Sequence, residues 1–325
     1  MLKKLLTLSF LTILTFSLTA QDKATDLSKT KVDAAKDQKE GWTKLGGFGL
    51  GFDLLSLINP RPGQGGNLTR FSGNLSYGAN LLRGKMVWNN KFGWLLGAQK
   101  VGGDAFTKSA DALLINSQLG YQVGASGKWY VGGMADFQSQ LLPTYGPNYF
   151  TATPAGVTKV QTVTGGLFAP ANIKFAPGII YKPNADWSFL FSPVGIKAII
   201  VTEDSLKGAK DRSPYFPFDA TNPTKSVDFQ IGSELRVDFA KKFADGKVVY
   251  QSTLDLYSNY LRDPQNVDIE WFNSLDFMVT KNIAVTIKTD WFYDHDIQVV
   301  RSSDGSKGPD VFIRNFVGLK YATTF

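Results

Sequence analysis

The sequence predicts an all-β fold: a transmembrane, antiparallel, up-and-down β-barrel of about twelve strands, closed by its C-terminal strand. Three observations carry that expectation. From Trp42 to the end, segments with a period of two recur, and such alternation marks a strand with two unlike faces. The connections between them alternate in length, short then long, as on the two rims of a bacterial outer-membrane barrel. The chain also opens with an export signal and contains no Cys, so the disulfide framework of small secreted domains is excluded.

The signal is the stretch "MLKKLLTLSFLTILTFSLTAQ". Lys3 and Lys4 precede a short apolar run, and small residues mark a cut after Ala20. The run is shorter than the roughly 20 apolar residues of a spanning helix, and no Cys at the cut could take a lipid. Residues 1–20 are therefore read as a signal peptide. Residues 21–41 balance five Lys against five acids without one aromatic residue, and are read as a periplasmic leader, disordered or fleetingly helical. Residues 42–325 are the barrel.

The formal charge of +7 falls to +5 once the two signal-peptide lysines are removed, 7 − 2. No block of Lys and Arg stands apart from acids, so a nucleic-acid footprint is not expected. No later window offers 18 or more uninterrupted apolar residues, so no transmembrane helix is expected either.

The strands follow in order. Those near 44–56, 67–82, 84–99, 109–123, 128–142 and 171–182 alternate with some interruptions. In 186–202 the apolar face runs Trp187, Phe189, Phe191, then shifts at Pro193 to Ile196, Ala198, Ile200. Either a bulge at Pro193–Gly195 restores register and keeps Lys197 out of lipid, or the strand ends at the proline. The segment 226–239 is the cleanest: Val227, Phe229, Ile231, Leu235, Val237 and Phe239 share one face, and every charge lies on the other. The segments after it repeat the pattern, and 311–325 closes the series. Short Gly, Pro, Asn or Asp turns such as "LLRGK", "GASGK" and "ADGK" alternate with long loops, the longest near 143–170 and 203–225.

A soluble sandwich or lipocalin-like barrel also alternates, but it buries its aromatic residues. Here Trp88, Trp94, Trp129, Trp187, Trp271, Trp291, Tyr250, Tyr260, Tyr293 and Tyr321 share the apolar face, many near segment ends. That suits two aromatic girdles at membrane interfaces. Closed barrels are also the only β-structures that satisfy every backbone group in lipid.

The runs "MVWNNKFGWLLGAQKV", "FTKSADALLINSQLGYQ", "LFAPANIKFAPGIIYKPNADWSFLFSPVGIKAIIV" and "LDLYSNYLRDPQNVDIEW" resemble the signatures of an outer-membrane barrel family of unknown function found in Bacteroidota. The ending Ala20-Gln21 is similar to signal peptides of that phylum. Family members often carry consecutive acids where this chain has "YDHD", so His295 is a departure. The resemblance implies the fold and the outer membrane of a Gram-negative bacterium, and implies no activity.

The polar face supplies the candidate functional residues. Arg70, Lys91, Asp136, Lys174, Asp228, Glu234, Arg236, Asp238, Asp255, Asp268, Glu270, Asp276, Lys288, Asp290, Asp294, Arg314 and Lys320 are expected to line the lumen. They would either line a narrow channel or fill the interior with salt bridges, since twelve strands lie between filled eight-stranded barrels and open porins. The main functional expectation is passage of small polar or charged solutes. The alternatives are a non-conducting structural or accessory subunit and, more remotely, an outer-membrane hydrolase.

The hydrolase has only His295 to offer, without a GxSxG serine motif. No metal site and no cofactor are expected, the glycines of "LGGFGLGF" lacking the dinucleotide spacing. The long loops would constrict the mouth, bind a ligand, or simply cover the surface. Tyr321 and the terminal Phe325 resemble the signal read by barrel-assembly machinery. Expected partners are that machinery, outer-membrane lipid and other outer-membrane proteins.

Overall fold

The computed structural model describes residues 39–59, 68–99, 106–206, 225–297 and 299–324, with the side chains of 53–57, 68, 69, 205 and 324 left aside. The signal peptide, nearly all of the leader, most of the loop 203–225 and Phe325 lie outside the described residues.

Twelve strands close into one antiparallel barrel. They are β1 Gly41–Ile58, β2 Leu68–Arg83, β3 Met86–Gln99, β4 Thr107–Val123, β5 Trp129–Ser139, β8 Ala171–Tyr181, β9 Trp187–Ile200, β10 Val227–Phe243, β11 Val248–Asn259, β12 Val267–Met278, β13 Ile283–Tyr293 and β16 Phe312–Thr324. Two small hairpins ride on the loops: β6 Thr144–Tyr145 with β7 Val163–Gly165, and β14 Val299–Val300 with β15 Lys307–Gly308. No helix of the described residues is long and apolar enough to cross a membrane.

Neighbours in sequence are neighbours in the ring, and the ring closes where β1 meets β16, from Gly47 opposite Thr324 to Ile58 opposite Ile313. The shortest barrel strands have 11 residues, enough to cross a bilayer when tilted. One rim carries the tight turns β2–β3, β4–β5, β8–β9, β10–β11 and β12–β13 together with both ends of the barrel; the other rim carries the long loops.

The pleat sorts side chains inward and outward. Phe48, Leu50, Phe52, Val131, Phe191, Val285, Ile287, Val317, Leu319 and Tyr321 point outward and are exposed. Aromatic rings pair across strands on this face: Trp42 with Trp88, Phe48 with Tyr321, Trp187 with Phe239, and Trp271 with Trp291. An outward belt of large exposed hydrophobes is the surface that lipid covers and water does not.

β9 runs unbroken through Pro193. Ser192 pairs with Glu234 and Gly195 with Gly232, so Pro193 and Val194 stand opposite Ser233 alone. The extra residue is a bulge, and it carries the alternation across the proline. The alternative of a strand ending at Pro193 is thereby excluded. The Pro193 carbonyl, freed from the ladder, accepts the Tyr260 hydroxyl at 2.8 Å.

The outward face is not wholly apolar, as the alternation had implied. Near the long-loop rim, Asp111 shares the face of Leu113 and Ile115 yet is buried. It accepts Lys108 Nζ at 2.9 Å, Trp94 Nε1 at 3.0 Å and the amides of Leu141 and Leu142 at 3.2 and 2.8 Å. Lys108 also donates to the carbonyls of Leu142 and Pro143. The start of the β5–β8 loop therefore lies over the outside of β4 and supplies every partner a buried ion pair needs. Part of that loop clamps the outer wall.

Candidate functional site: the charged lumen

Two contacts show which face is inside. Arg236 of β10 lies 3.4 Å from Asp136 of β5, with two strands between them in the ring. Lys174 of β8 reaches past β9 to Glu234 of β10 at 3.2 Å and Asp255 of β11 at 2.8 Å. Such chords run only through the barrel interior.

The inward charges are not mixed evenly. Asp228, Glu234, Asp238, Asp255, Asp268, Glu270 and Asp276 crowd β10 to β12, while Lys288, Arg314, Lys320, Arg70 and Lys91 follow on β13, β16, β2 and β3. Between the two walls on one side, Lys174 and Lys197 stand directly opposite each other across β8 and β9 and both lean toward the acids. Lys197 lies 3.5 Å from Asp268. On the other side, Lys320 lies 3.5 Å from Asp276. An acidic wall facing a basic one sets a field across the lumen.

Lower on the acidic wall, Arg236 is held by Asp238 as well as Asp136, and Thr253 donates to Asp238 at 2.8 Å. Asn116 of β4 donates to Asp136, carrying the network onto the next strand. On the basic wall, the Phe316 ring is ringed by Arg70, Lys288 and Arg314, at 5.5, 5.7 and 5.7 Å from its centroid. A ring face softens the repulsion of three crowded cations.

The short-turn end of the interior is apolar along one half. Leu82, Val87, Tyr130, Met134, Ala176, Ile180 and Leu190, from β2 to β9, form one buried cluster there. The long-loop mouth is narrowed from the opposite half. Phe272, Phe292 and Phe312 form an inward ladder, and Val299 of the β14–β15 hairpin is buried against it.

That hairpin is fastened. Arg301 braces it from within through Asp310, Ser306 and the Pro309 carbonyl. Asn59, at the end of β1, donates its amide to Ser302 Oγ at 2.9 Å and accepts the Ser302 amide at 2.6 Å. Arg262 on the β11–β12 loop joins Asp296 at 3.2 Å to Asp228 at 3.3 Å. Burial works against the Arg262 charge, but the two carboxylates outweigh it and hold its pKa above the ordinary value.

The sequence-predicted residues sort as follows. Arg70, Asp228, Glu234, Arg236, Asp238, Asp255, Asp290 and Arg314 point inward and are buried; Lys91, Asp136, Lys174, Asp268, Glu270, Asp276, Lys288 and Lys320 point inward and are half-buried. Asp294 lies past the end of β13, where it caps a turn by accepting the Asp296 amide at 2.9 Å, so it belongs to the loop. His295 is exposed beside it, its Nδ1 3.3 Å from the Tyr293 hydroxyl. Among the described residues no group of three or more His, Cys, Asp or Glu converges to hold a metal ion. Tyr321 points outward. Sequence reasoning kept Lys197 out of lipid but did not count it, Ser192 or Tyr257 among the lumen candidates, and it missed Val299. The shift of face at Pro193 already implied Lys197 and Ser192; nothing local marked Val299, whose burial comes from residues on three distant strands.

The fold and its interior define a closed twelve-stranded barrel with an apolar belt and a charged lumen. The chain matches the family described as "Protein of unknown function (DUF3078)" over residues 59–145. No curated protein matches it. Among solved structures it is similar to the NanC porin, at 9% identity and a TM-score of 0.37, covering 84% of this chain and 98% of that one. It is also similar to the translocator domain of the autotransporter NalP from Neisseria meningitidis, at 8% identity and 0.38, covering 88% and 90%. A third is the outer membrane channel DcaP of Acinetobacter baumannii, at 10% identity and 0.35, covering 88% and 99%. At TM-scores this low the fold assignment rests on the barrel's own strand pairing.

Proposed function

We propose that this chain is an integral outer-membrane barrel, exported through a cleaved signal peptide, that forms a narrow channel for small polar or charged solutes. Both ends of the barrel lie on the short-turn rim, which this reading places in the periplasm. The observation that carries the channel is incomplete burial of the inward charges. The side chains of Asp136, Lys174, Lys197, Asp268, Asp276 and Lys320 keep 26, 18, 19, 23, 14 and 33% of their surface accessible. These groups run from Lys174, Lys197 and Asp268 near the long-loop ends of their strands to Asp276 and Lys320 near the short-turn rim. A wholly packed interior would seal them as it seals Glu234 and Asp290.

The facing acidic and basic walls then decide which solutes pass. Single-channel recording in planar bilayers tests the proposal: discrete steps are expected, and membranes that stay closed at every voltage sink it. A second reading is a non-conducting accessory subunit, favoured by the apolar cluster around Tyr130 and Ile180 that fills one side of the short-turn end of the interior. Copurification of a stoichiometric outer-membrane partner with silent bilayers supports that reading. His295 adds nothing to a hydrolase, because its ring meets a tyrosine in an exposed loop.

A further inference from the structure

The bulge that carries β9 past Pro193 does more than keep register. It sets Ser192 beside Glu234, and together with Asp255 and Tyr257 of β11 these inward side chains each have a buried atom with no hydrogen-bond partner: Ser192 Oγ, Glu234 Oε2, Asp255 Oδ1 and Tyr257 Oη. Ser192 and Tyr257 are the direct ladder partners of Glu234 on either side. Asp255 is joined to Glu234 through Lys174, which takes one oxygen of each carboxylate and leaves the other. Three of the residues are buried, Ser192 at 0%, Glu234 at 1% and Tyr257 at 3% exposure, and the patch meets the lumen at Asp255 and Lys174, whose side chains keep 9 and 18% of their surface accessible.

The patch is built, not incidental. The Tyr257 ring lies over Gly232, where a Cβ would collide with the Ser258 carbonyl oxygen and come within 2.8 Å of Tyr257 Cζ. Only a glycine leaves that ring its place. The Lys197 ammonium also lies over the ring, 5.1 Å from its centroid.

The chemistry of the orphan atoms selects the guest. Two are carboxylate oxygens, which only accept, and two are hydroxyl oxygens, which accept as readily as they donate. A guest must therefore bring several N–H or O–H donors. The charge balance sets its sign: Glu234, Asp255, Asp268, Glu270, Asp136 and Asp238 crowd this stretch of wall against Lys174, Lys197 and Arg236, six acids to three bases. Buried charge of one sign is tolerated when an opposite charge with donors can satisfy it.

We infer that this patch is a binding subsite for the primary ammonium group of a small organic solute, set in the wall of the lumen. The subsite depends on the channel reading only for how the solute arrives. It names the class of solute that the channel would hold and hand on: small primary amines, the three ammonium N–H groups of which would be shared among the four orphan acceptors. The basic wall across the lumen, with Lys288 and Arg314, leaves room in the same field for a negative group elsewhere on that solute.

The test is a titration of the folded full-length barrel in detergent with ethylammonium chloride, at constant ionic strength, followed by calorimetry. Tetramethylammonium and potassium chlorides serve as comparisons, since they carry the charge without the N–H donors. Saturable binding of ethylammonium is expected, about tenfold or more tighter than tetramethylammonium, as the loss of charge-assisted hydrogen bonds implies. Tyr257→Phe removes a hydroxyl that has no partner, so the barrel should fold unchanged while ethylammonium affinity drops. Glu234→Gln should do the same more strongly.

Equal affinity for ethylammonium and tetramethylammonium, or a well-folded Tyr257→Phe that binds as wild type, overturns the subsite. Potassium binding that matches ethylammonium overturns it also, in favour of an inorganic cation site. Bilayer recordings on the same preparation keep the two claims apart: binding without current defeats the channel and spares the subsite, and current without binding does the reverse.

Discussion

Asp290 and Arg314 face each other directly across the β13–β16 ladder, and Arg314 Nη2 lies 2.9 Å from Asp290 Oδ2. Neither side chain has meaningful exposure, at 0 and 5%. The guanidinium also lies 4.8 Å from the Phe292 ring, at the base of the aromatic ladder. The pair therefore ties the closing strand to its neighbour from within.

Breaking that pair on one side leaves a buried charge behind. Arg314→Ala should destabilise the barrel by about 3–5 kcal/mol, measured by urea unfolding in lipid vesicles. Replacing both partners with apolar residues, Asp290→Leu with Arg314→Met, should cost much less. A double variant as unstable as the single one would show that the cost lies elsewhere.

The outward face is tested by a charge where lipid is expected. Leu319→Arg, on a residue paired with Phe52 and Val285, should cost about 2–4 kcal/mol if it sits near the bilayer midplane. Its neighbour Lys320 points the other way, so Lys320→Ala should leave stability in lipid nearly untouched. Equal effects from the two variants would contradict the assignment of faces.

The two-walled lumen predicts a direction of ion selectivity. Lys288→Glu with Lys320→Glu removes two cations from the basic wall and adds two anions. The reversal potential in a salt gradient should then move toward the cation value. No shift would mean that current does not pass along this wall.

The mouth hairpin should act as a constriction held by packing and by the Asn59–Ser302 bonds. Val299→Asp puts a charge among Phe272, Phe292 and Phe312 and should release it. Larger unitary current, and faster proteolysis of the 299–308 segment on intact cells, are expected. Unchanged current with a cut hairpin would mean that it covers the surface without narrowing the path.

We propose that the terminal residues act in assembly and not in transport. Removal of Phe325 should lower the amount of inserted barrel far more than the current carried by each inserted molecule. The readout is the ratio of folded barrel to unitary conductance.

The fold was legible because lipid imposes a simple rule on every strand. Val227 to Phe239 alternate without exception in charge, so a single segment already separates the two faces, and the shift at Pro193 announced its bulge. What was not legible depends on the loops. Lys108 and Asp111 break the outward rule because the amides and carbonyls of 141–143 come back to meet them. Alternation carries no information about a loop that folds over the wall. Apart from Asp294 the lumen candidates point inward, but which of them keep unpaired atoms depends on how β9, β10 and β11 pair. The stagger of β9 on β10 is set by a bulge whose extra residue the sequence shows and whose geometry it does not.

The two bonds between Asn59 and Ser302 join positions 243 residues apart, and they straddle the line where β1 and β16 meet. They cannot form while the sheet is still an open ribbon, since its two edges are then far apart. Their formation records that the ring has shut. A disulfide engineered between these positions would form late in biogenesis and only in completed molecules, which makes the clasp a clock for barrel closure in the living cell.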